Sequence, residues 1–461
     1  MGGALTPTEQ VLWGAIQAEM GGISYSLIDP YRRAIPHNGD MIPQERRLAE
    51  SLFRREDGAG VVVATPTLAQ GMNLPAQLAI LAGDKRQDEG RRSQLEPHEI
   101  LNAAGRAGRA GHLANGIVIL IPEPVVGFYP TGTPEQAAVQ KLRALLPIQD
   151  QCVPVEDPVT LLLDAIQAGN VANPVVRYFV SRVGAAEPPD TVREQTVAMI
   201  QRSFAAFKAR QAQDEAGFQE KVEALRALLA RRITNPEVAT IAASTDLPDE
   251  PLLVIEQRFS SDPTAIPSTI VGWIDWMVDF FASDLACYES FLAEDVGTVN
   301  YVVRGKQSGG HPSAEEFARL KAGLRSWVTG RPFNEIEASL GVPPTKLRHC
   351  PRSRDLVLKL ASRRLYLVAA SMVEVARMII ARLSVAAPQP SVLETMPVAI
   401  RKGLDAPDKV AFAYHRPGIR SRVLLHQRFA LTLGSPADVT GLDYATVLAR
   451  TTARLALVPG D

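Results

Sequence analysis

In the first 122 residues, short runs of aliphatic residues alternate with stretches whose apolar positions recur every three or four. Val61-Val62-Val63-Ala64 is the plainest run and predicts a buried strand. Residues 77–82 and 116–121 predict two more, the last stopped by Pro122. Residues 23–36 predict a strand that leads to His37-Asn38-Gly39. Between these runs, residues 43–55 place Leu48, Leu52 and Phe53 on one face of a helix, and residues 97–104 open a second helix at Pro97. Upstream, Thr6-Pro7-Thr8-Glu9 has the spacing of a capped helix start, and residues 10–20 then run as a helix to Gly21-Gly22. Strands alternating with helices predict a parallel α/β sheet.

After Pro122 the period changes. Residues 134–146, 158–168, 191–231 and 253–292 are helical patterns separated by proline or glycine, with no second run of strands. Residues 388–397 predict a linker or turn, and the last sixty or so residues are mainly helical. The predicted division is an N-terminal helix at 1–22, an α/β lobe at 23–130, a helical connector with room for a winged-helix-like module at 131–300, and a helical domain at 301–461.

Composition narrows the function classes. Cys152, Cys287 and Cys350 lie far apart, with no C-x-x-C pair and no histidine at ligand spacing, so neither a disulfide framework nor a metal site is expected. No apolar stretch approaches the roughly 18 residues that a membrane span needs, so a soluble, cytoplasmic protein with no membrane partner is expected. The overall net charge of −1 hides an asymmetry: residues 341–461 hold eighteen Lys and Arg against eight Asp and Glu. That excess of ten positive charges leaves the first 340 residues at −11. Lys346, Arg348, Arg352, Arg354, Lys359, Arg363 and Arg364 fall within nineteen residues, and a second cluster at 401–428 contains Tyr414, His415, Arg420, Arg422 and His426. Arg348, Arg352 and Arg354 are candidates for contact with a nucleic-acid backbone; the alternative is that such residues are solvated faces of amphipathic helices. Trp273, Trp276, Phe280 and Phe281 stand among Ile270, Val271, Ile274 and Met277, which marks a buried helix rather than a base-stacking face.

The densest chemical signal is a pair of segments. Residues 61–76 read V-V-V-A-T-P-T-L-A-Q-G-M-N-L-P-A, a strand that delivers Thr65, Thr67 and Gly71 to a sheet edge. Residues 100–111 read I-L-N-A-A-G-R-A-G-R-A-G, where Gly105 and Gly108 relax the turn from which Arg106 and Arg109 project. Two guanidiniums on such a turn suit a polyphosphate. Threonines at a strand end can bind phosphate oxygens of nucleic acid, or simply cap the run after Pro66.

In order and spacing these segments resemble motifs V and VI of a superfamily 2 helicase of the Ski-like DEAD/DEAH-box branch, in its second RecA-like lobe. The resemblance covers roughly residues 36–122, and N-L-P-A and G-R-A-G-R are its most branch-specific parts. It implies that Arg106 and Arg109 act as arginine fingers, which contribute a factor of about 10³–10⁵ in rate where they operate. It also implies that Gly71, Asn73, Asn102 and Gly105 face the nucleotide and the cleft between lobes, and that His37, Thr65 and Thr67 approach the nucleic acid. Asn102 stands where the family usually has glutamine, one methylene longer. More loosely, L-R-S-W-V-T-G-R-P-F-N-E-I-E-A-S-L-G resembles the helical domain that follows a winged helix in this branch.

The family reaction couples ATP hydrolysis to movement along DNA or RNA. ATP and Mg²⁺ would be held mostly by a first lobe carrying G-x-x-x-x-G-K-[ST]. That string does not occur in these 461 residues; the nearest, Arg304-Gly305-Lys306-Gln307, lacks the upstream glycine and the hydroxyl. The expected partners are therefore nucleic acid and a first-lobe polypeptide or adjacent protein, with the chain inactive alone. The rival expectation is a non-enzymatic nucleic-acid- or protein-binding module derived from a helicase.

Overall fold

The computed structural model describes residues 4–65, 76–83, 85–88, 91–94, 117–121, 157–170, 173–184, 189–229, 235–307, 309–387 and 389–458. The chain divides into two compact units, Met1–Gly14 with Ser26–Val155 and Ala15–Tyr25 with Glu156–Asp461.

Helix α1 (Pro7–Met20) contributes its first half to the first unit and passes into the second at Ala15; its start is a reciprocal cap. The Thr6 amide donates to Glu9 Oε2 at 2.9 Å, and the Glu9 amide donates to Thr6 Oγ1 at 3.3 Å. Glu9 is fully buried and also accepts from Ser51 Oγ (2.8 Å) and Arg55 Nη1 (2.6 Å). Next come β1 (Ala34–His37), α2 (Pro43–Arg54) and β2 (Val61–Ala64), with β1 and β2 parallel and Ala34 opposite Val61. Glu45, fully buried at the start of α2, accepts from the amides of Ile42 (3.0 Å) and Leu27 (2.9 Å) and from Ser26 Oγ (3.0 Å).

Parallel β3 (Leu78–Ala82) and β6 (Ile117–Ile121) form a second pair, and β4 (Lys85–Asp88) with β5 (Arg91–Gln94) an antiparallel one. The expected parallel pairing is present. The expectation that residues 61–64 are buried is corrected: Val61 is 53 % and Val63 66 % exposed. Side chains alternate along a strand, so Ile35 and His37 turn to one face, where α2 supplies the buried Leu48, Ala49 and Leu52. Val62 is in register with Ile35, which puts Val61 and Val63 on the other face.

The second unit is helical throughout its described residues. Helices α3 (Pro158–Gln167), α4 (Pro174–Gly184), α5 (Pro189–Gln201), α6 (Phe204–Gln211) and α7 (Glu215–Leu229) share a core that includes Leu163, Val176, Ile200, Val222 and Leu225. Helices α8 (Pro236–Thr245), α9 (Glu250–Ser261), α10 (Ile270–Ser283), α11 (Leu285–Leu292), α12 (Val296–Arg304), α13 (Ala314–Val328), α14 (Phe333–Ser339) and α15 (Pro351–Asp355) follow. A ten-residue π-helix (Leu356–Leu365) runs into α16 (Tyr366–Leu383), and α17 (Pro390–Lys402), α18 (Pro407–His415), α19 (Arg422–Leu433) and α20 (Tyr444–Ala456) complete the unit.

The linker expected at 388–397 is instead the start of α17, with Pro390 in its first turn and Pro397 inside it. Pro397 removes one helical hydrogen bond, yet Leu393, Met396, Ala399 and Ile400 bury a continuous stripe that holds the helix. Helices α13 and α14 meet in a short turn beside Trp327. Trp327 packs edge-on against Phe333 at 6.3 Å and donates from Nε1 to the Ile400 carbonyl at 2.7 Å. No described helix is long and apolar enough to cross a membrane.

Candidate nucleic-acid interface

The β1–α2–β2 segment brings together the two candidate residues it contains. His37 ends β1 opposite Ala64, and the Thr65 amide donates to the His37 carbonyl at 3.3 Å, one step past the ladder. Both therefore sit at the carboxyl ends of adjacent parallel strands, where open α/β sheets bind ligands. Thr65 is exposed. The His37 ring is turned inward, with Nε2 3.5 Å from Glu50 Oε1 on α2, so this histidine fixes the strand end rather than offering a ring to solvent. Thr67, Gly71, Asn73, Asn102, Gly105, Arg106 and Arg109 lie outside the described residues, as does the helix expected at 97–104.

The three arginines of the basic segment meet three environments. Arg348 is exposed beside His349, with Nε donating to His349 Nε2 at 3.1 Å. His349 (φ 61) and Cys350 (φ 47) are both left-handed, a conformation that costs a non-glycine residue on the order of 1 kcal/mol or more. The sharp turn they make aims the amides of Arg352 (3.2 Å) and Ser353 (2.6 Å) at the buried Glu337 carboxylate, which satisfies donors at the start of α15. Burial pushes the Glu337 carboxyl up from its ordinary pKa, against the lowering effect of those amides. Arg352 itself is half-buried.

Arg354 corrects its assignment as a backbone contact. It is 1 % exposed, and its guanidinium donates to the carbonyls of His349 (2.7 Å) and Tyr25 (3.3 Å). A side chain so enclosed holds the fold together and does not reach a phosphate.

The same inward use of cations recurs through the C-terminal third. Arg422 lies in a buried pair with Glu19 (3.3 Å), stacks over Trp327 with 4.2 Å to the ring centroid, and donates to the carbonyls of Trp327 and Arg331. Gly403 (φ +70) gives the stack its room, because a Cβ there would strike Arg422 and Trp327. Arg364 donates to the Phe291 carbonyl at 2.6 Å, while Arg382, though exposed, is tied to Glu256. The His426 side chain, 9 % exposed, lies between the Gly403 carbonyl (3.0 Å) and Lys409 Nζ (3.2 Å). The basic excess is thus partly neutralised by carboxylates such as Glu19 and Glu256 from the acidic part of the sequence. Lys346, Arg348, Arg363, Arg401, Lys402, Arg420, Arg428 and Arg450 are exposed, and with half-buried Arg352 they contribute cationic surface here.

Aromatic residues sort as expected in α10, where Trp273, Phe280 and Phe281 are buried. Phe204 and Phe207, to which the sequence draws no attention, are exposed at 56 % and 52 %. The signal that would have found them is F-A-A-F-K-A-R, in which only alanine is offered to the core.

Comparison with known proteins bears on which surface this is. No protein-family model matches the chain. A chloroplastic DExH-box ATP-dependent RNA helicase of Arabidopsis thaliana is 36 % identical over 85 residues, 18 % of this chain and 7 % of that protein. The ATP-dependent DNA helicase Hel308 of Aeropyrum pernix is 34 % identical over 106 residues, 22 % and 14 % of the two chains. The antiviral helicase SKI2 of Saccharomyces cerevisiae is 36 % identical over 85 residues, 18 % and 6 %. The matched stretch is thus at most 14 % of the length of each of these three relatives. Over these stretches the chain is homologous to the superfamily 2 helicases that include Ski2 and Hel308.

Proposed function

We propose that this chain supplies the second RecA-like lobe and the following helical domains of an ATP-dependent nucleic-acid helicase or translocase. The observation that carries the reading is the parallel β1–α2–β2 segment, which sets Thr65 beside His37 at the strand ends just where the helicase-like string 61–76 begins its loop. In this reading Thr65 and Thr67 meet the phosphates of the bound strand. Arg348 and Arg352 add backbone contacts from the basic segment. Arg106 and Arg109 are the cations this chain would present to a triphosphate, with Gly71, Asn73, Asn102 and Gly105 around the nucleotide. These residues do not make a complete ATP site: no phosphate-loop string is present, and no cluster of metal-ligating side chains occurs among the described residues. ATP and Mg²⁺ therefore belong to a first lobe.

ATP hydrolysis by the chain alone, and with a RecA-like first lobe from a homologous helicase, tests this. Background rate alone and nucleic-acid-stimulated hydrolysis in the mixture, lost in Arg109→Ala, is the expected result. A mixture that binds nucleic acid but never hydrolyses ATP would favour the second reading, a binding module on a helicase scaffold.

A further inference from the structure

Helix α6 turns small residues inward and large ones outward. Ala205 and Ala206, 4 % and 5 % exposed, face the α3–α7 core, while Phe204 and Phe207 stand in solvent. Burying a phenylalanine is worth roughly 1.5–3 kcal/mol, so folding alone favours the opposite facing. The two rings are nearly parallel, 17° between planes with centroids 5.9 Å apart, and Lys208 Nζ sits 5.0 Å from the Phe204 centroid. Arg202, Lys208 and Arg210 are exposed, and the stretch from 201 to 211 contains no carboxylate.

We propose that Phe204, Phe207 and Lys208 form a stacking platform for single-stranded nucleic acid. Every base presents a π-face to an aromatic ring whatever its identity, and neighbouring cations hold the phosphates between bases. The rings are too close together to admit a third, so a base lies on the outer face of the pair. The two half-exposed rings offer roughly 200 Å², far below the about 800 Å² per partner of a stable protein interface. The exposed charges of the helix itself, Lys208 and Arg210, are those of a polyanion's partner, while Asp157 and Asp214 line the cleft that Lys208 also borders. The inference rests on the nucleic-acid reading above, since a chain without such a partner has no base to stack.

The test uses the full chain, fluorescein-labelled oligothymidylate and oligouridylate, and fluorescence anisotropy over a range of salt. F204A/F207A should weaken binding by about tenfold or more with an unchanged salt slope, and F204L/F207L should weaken it similarly, because leucine keeps the apolar surface but not the π-face. Lys208→Gln should lower the salt slope by about one. Photocrosslinking of 4-thiothymidine-substituted strand to the wild-type chain should label the peptide containing Phe204–Gln211, a readout independent of how the variants fold. Wild-type affinity in the alanine or leucine pair, with Arg348→Ala/Arg352→Ala still weakened, would overturn the platform and leave the nucleic-acid reading standing. No binding of either oligonucleotide by the wild-type chain would overturn both. Self-association that disappears in F204A/F207A would assign the rings to a second copy and overturn the proposal.

Discussion

Helices α10 and α6 both carry aromatic residues at helical spacing and use them in opposite ways. In α10, Trp276 stacks on Phe280 (5.3 Å, 6°) and lies 4.7 Å from Phe259, while Trp273 meets Phe259 edge-on at 5.9 Å. Buried Ile270, Ile274, Met277 and Val278 stand between these rings. In α6 the residues between the rings are alanines, and those that follow are Lys208 and Arg210. Large aliphatic neighbours make an aromatic residue part of a wide apolar stripe that must be covered. Alanine and cationic neighbours leave the ring as the outermost feature of the helix. The company a ring keeps in the sequence therefore decides which way it faces.

The widest separation should appear in stability. Trp273→Ala should cost about 3–5 kcal/mol, whereas Phe207→Ala should change stability by no more than about 0.5 kcal/mol. Urea unfolding of both variants measures the difference, and similar losses would break the comparison. The arginines sharpen it with charge in place of π-surface. Arg422→Ala leaves Glu19 buried without its partner and should cost about 3–5 kcal/mol; Arg348→Ala should cost about 0.5 kcal/mol or less.

A smaller effect is expected from pH. Burial, reinforced by the neighbouring Lys409 ammonium, lowers the pKa of His426 to about 4, against an opposing hydrogen bond to the Gly403 carbonyl. Below the ordinary histidine value of 6.5 the unfolded chain takes up a proton that the folded chain refuses, so stability falls as pH drops from 6.5 towards about 4. Thermal midpoints across that window should fall less steeply in His426→Asn than in the wild-type chain. An identical slope would place the titration elsewhere. The smallest effect belongs to Arg348→Ala in binding: the salt slope for oligothymidylate should drop by about one with little change in thermal midpoint.

Local pattern alone was a sufficient guide to the type of several elements. The Thr6–Glu9 cap, α2 with its Leu48 and Leu52 face, the strands at 61–64 and 117–121, and the buried ladder of α10 all follow from residue spacing. The hairpin of β4 and β5 did not, because K-R-Q-D and R-R-S-Q contain no apolar alternation to announce a strand. Nor did α17, where two prolines outweigh in the sequence a stripe that only packing makes decisive. Site residues were legible as chemistry but not as orientation. Arg348 and Arg354 look equivalent in a charge count, yet the left-handed turn at His349 and Cys350 leaves one outside and sends the other to the carbonyls of His349 and Tyr25. For Val61 and Val63, the run of valines indicated a strand without indicating how many of its faces would be covered.

The Glu19–Arg422 pair also governs when the helical unit can be completed. Its partners are 403 residues apart, and Glu19 also receives the Ser421 hydroxyl and the Val423 amide. During synthesis Glu19 emerges 403 residues before Arg422 and must wait, its carboxylate still in water, until that stretch has been made. Contacts of such sequence separation form late and slow the search for the native state. A polypeptide that begins at Glu156 would contain every helix from α3 onward and still have no carboxylate for Arg422. The two compact units are therefore not two independently heritable pieces: the second is complete only with a segment that interrupts the sequence of the first.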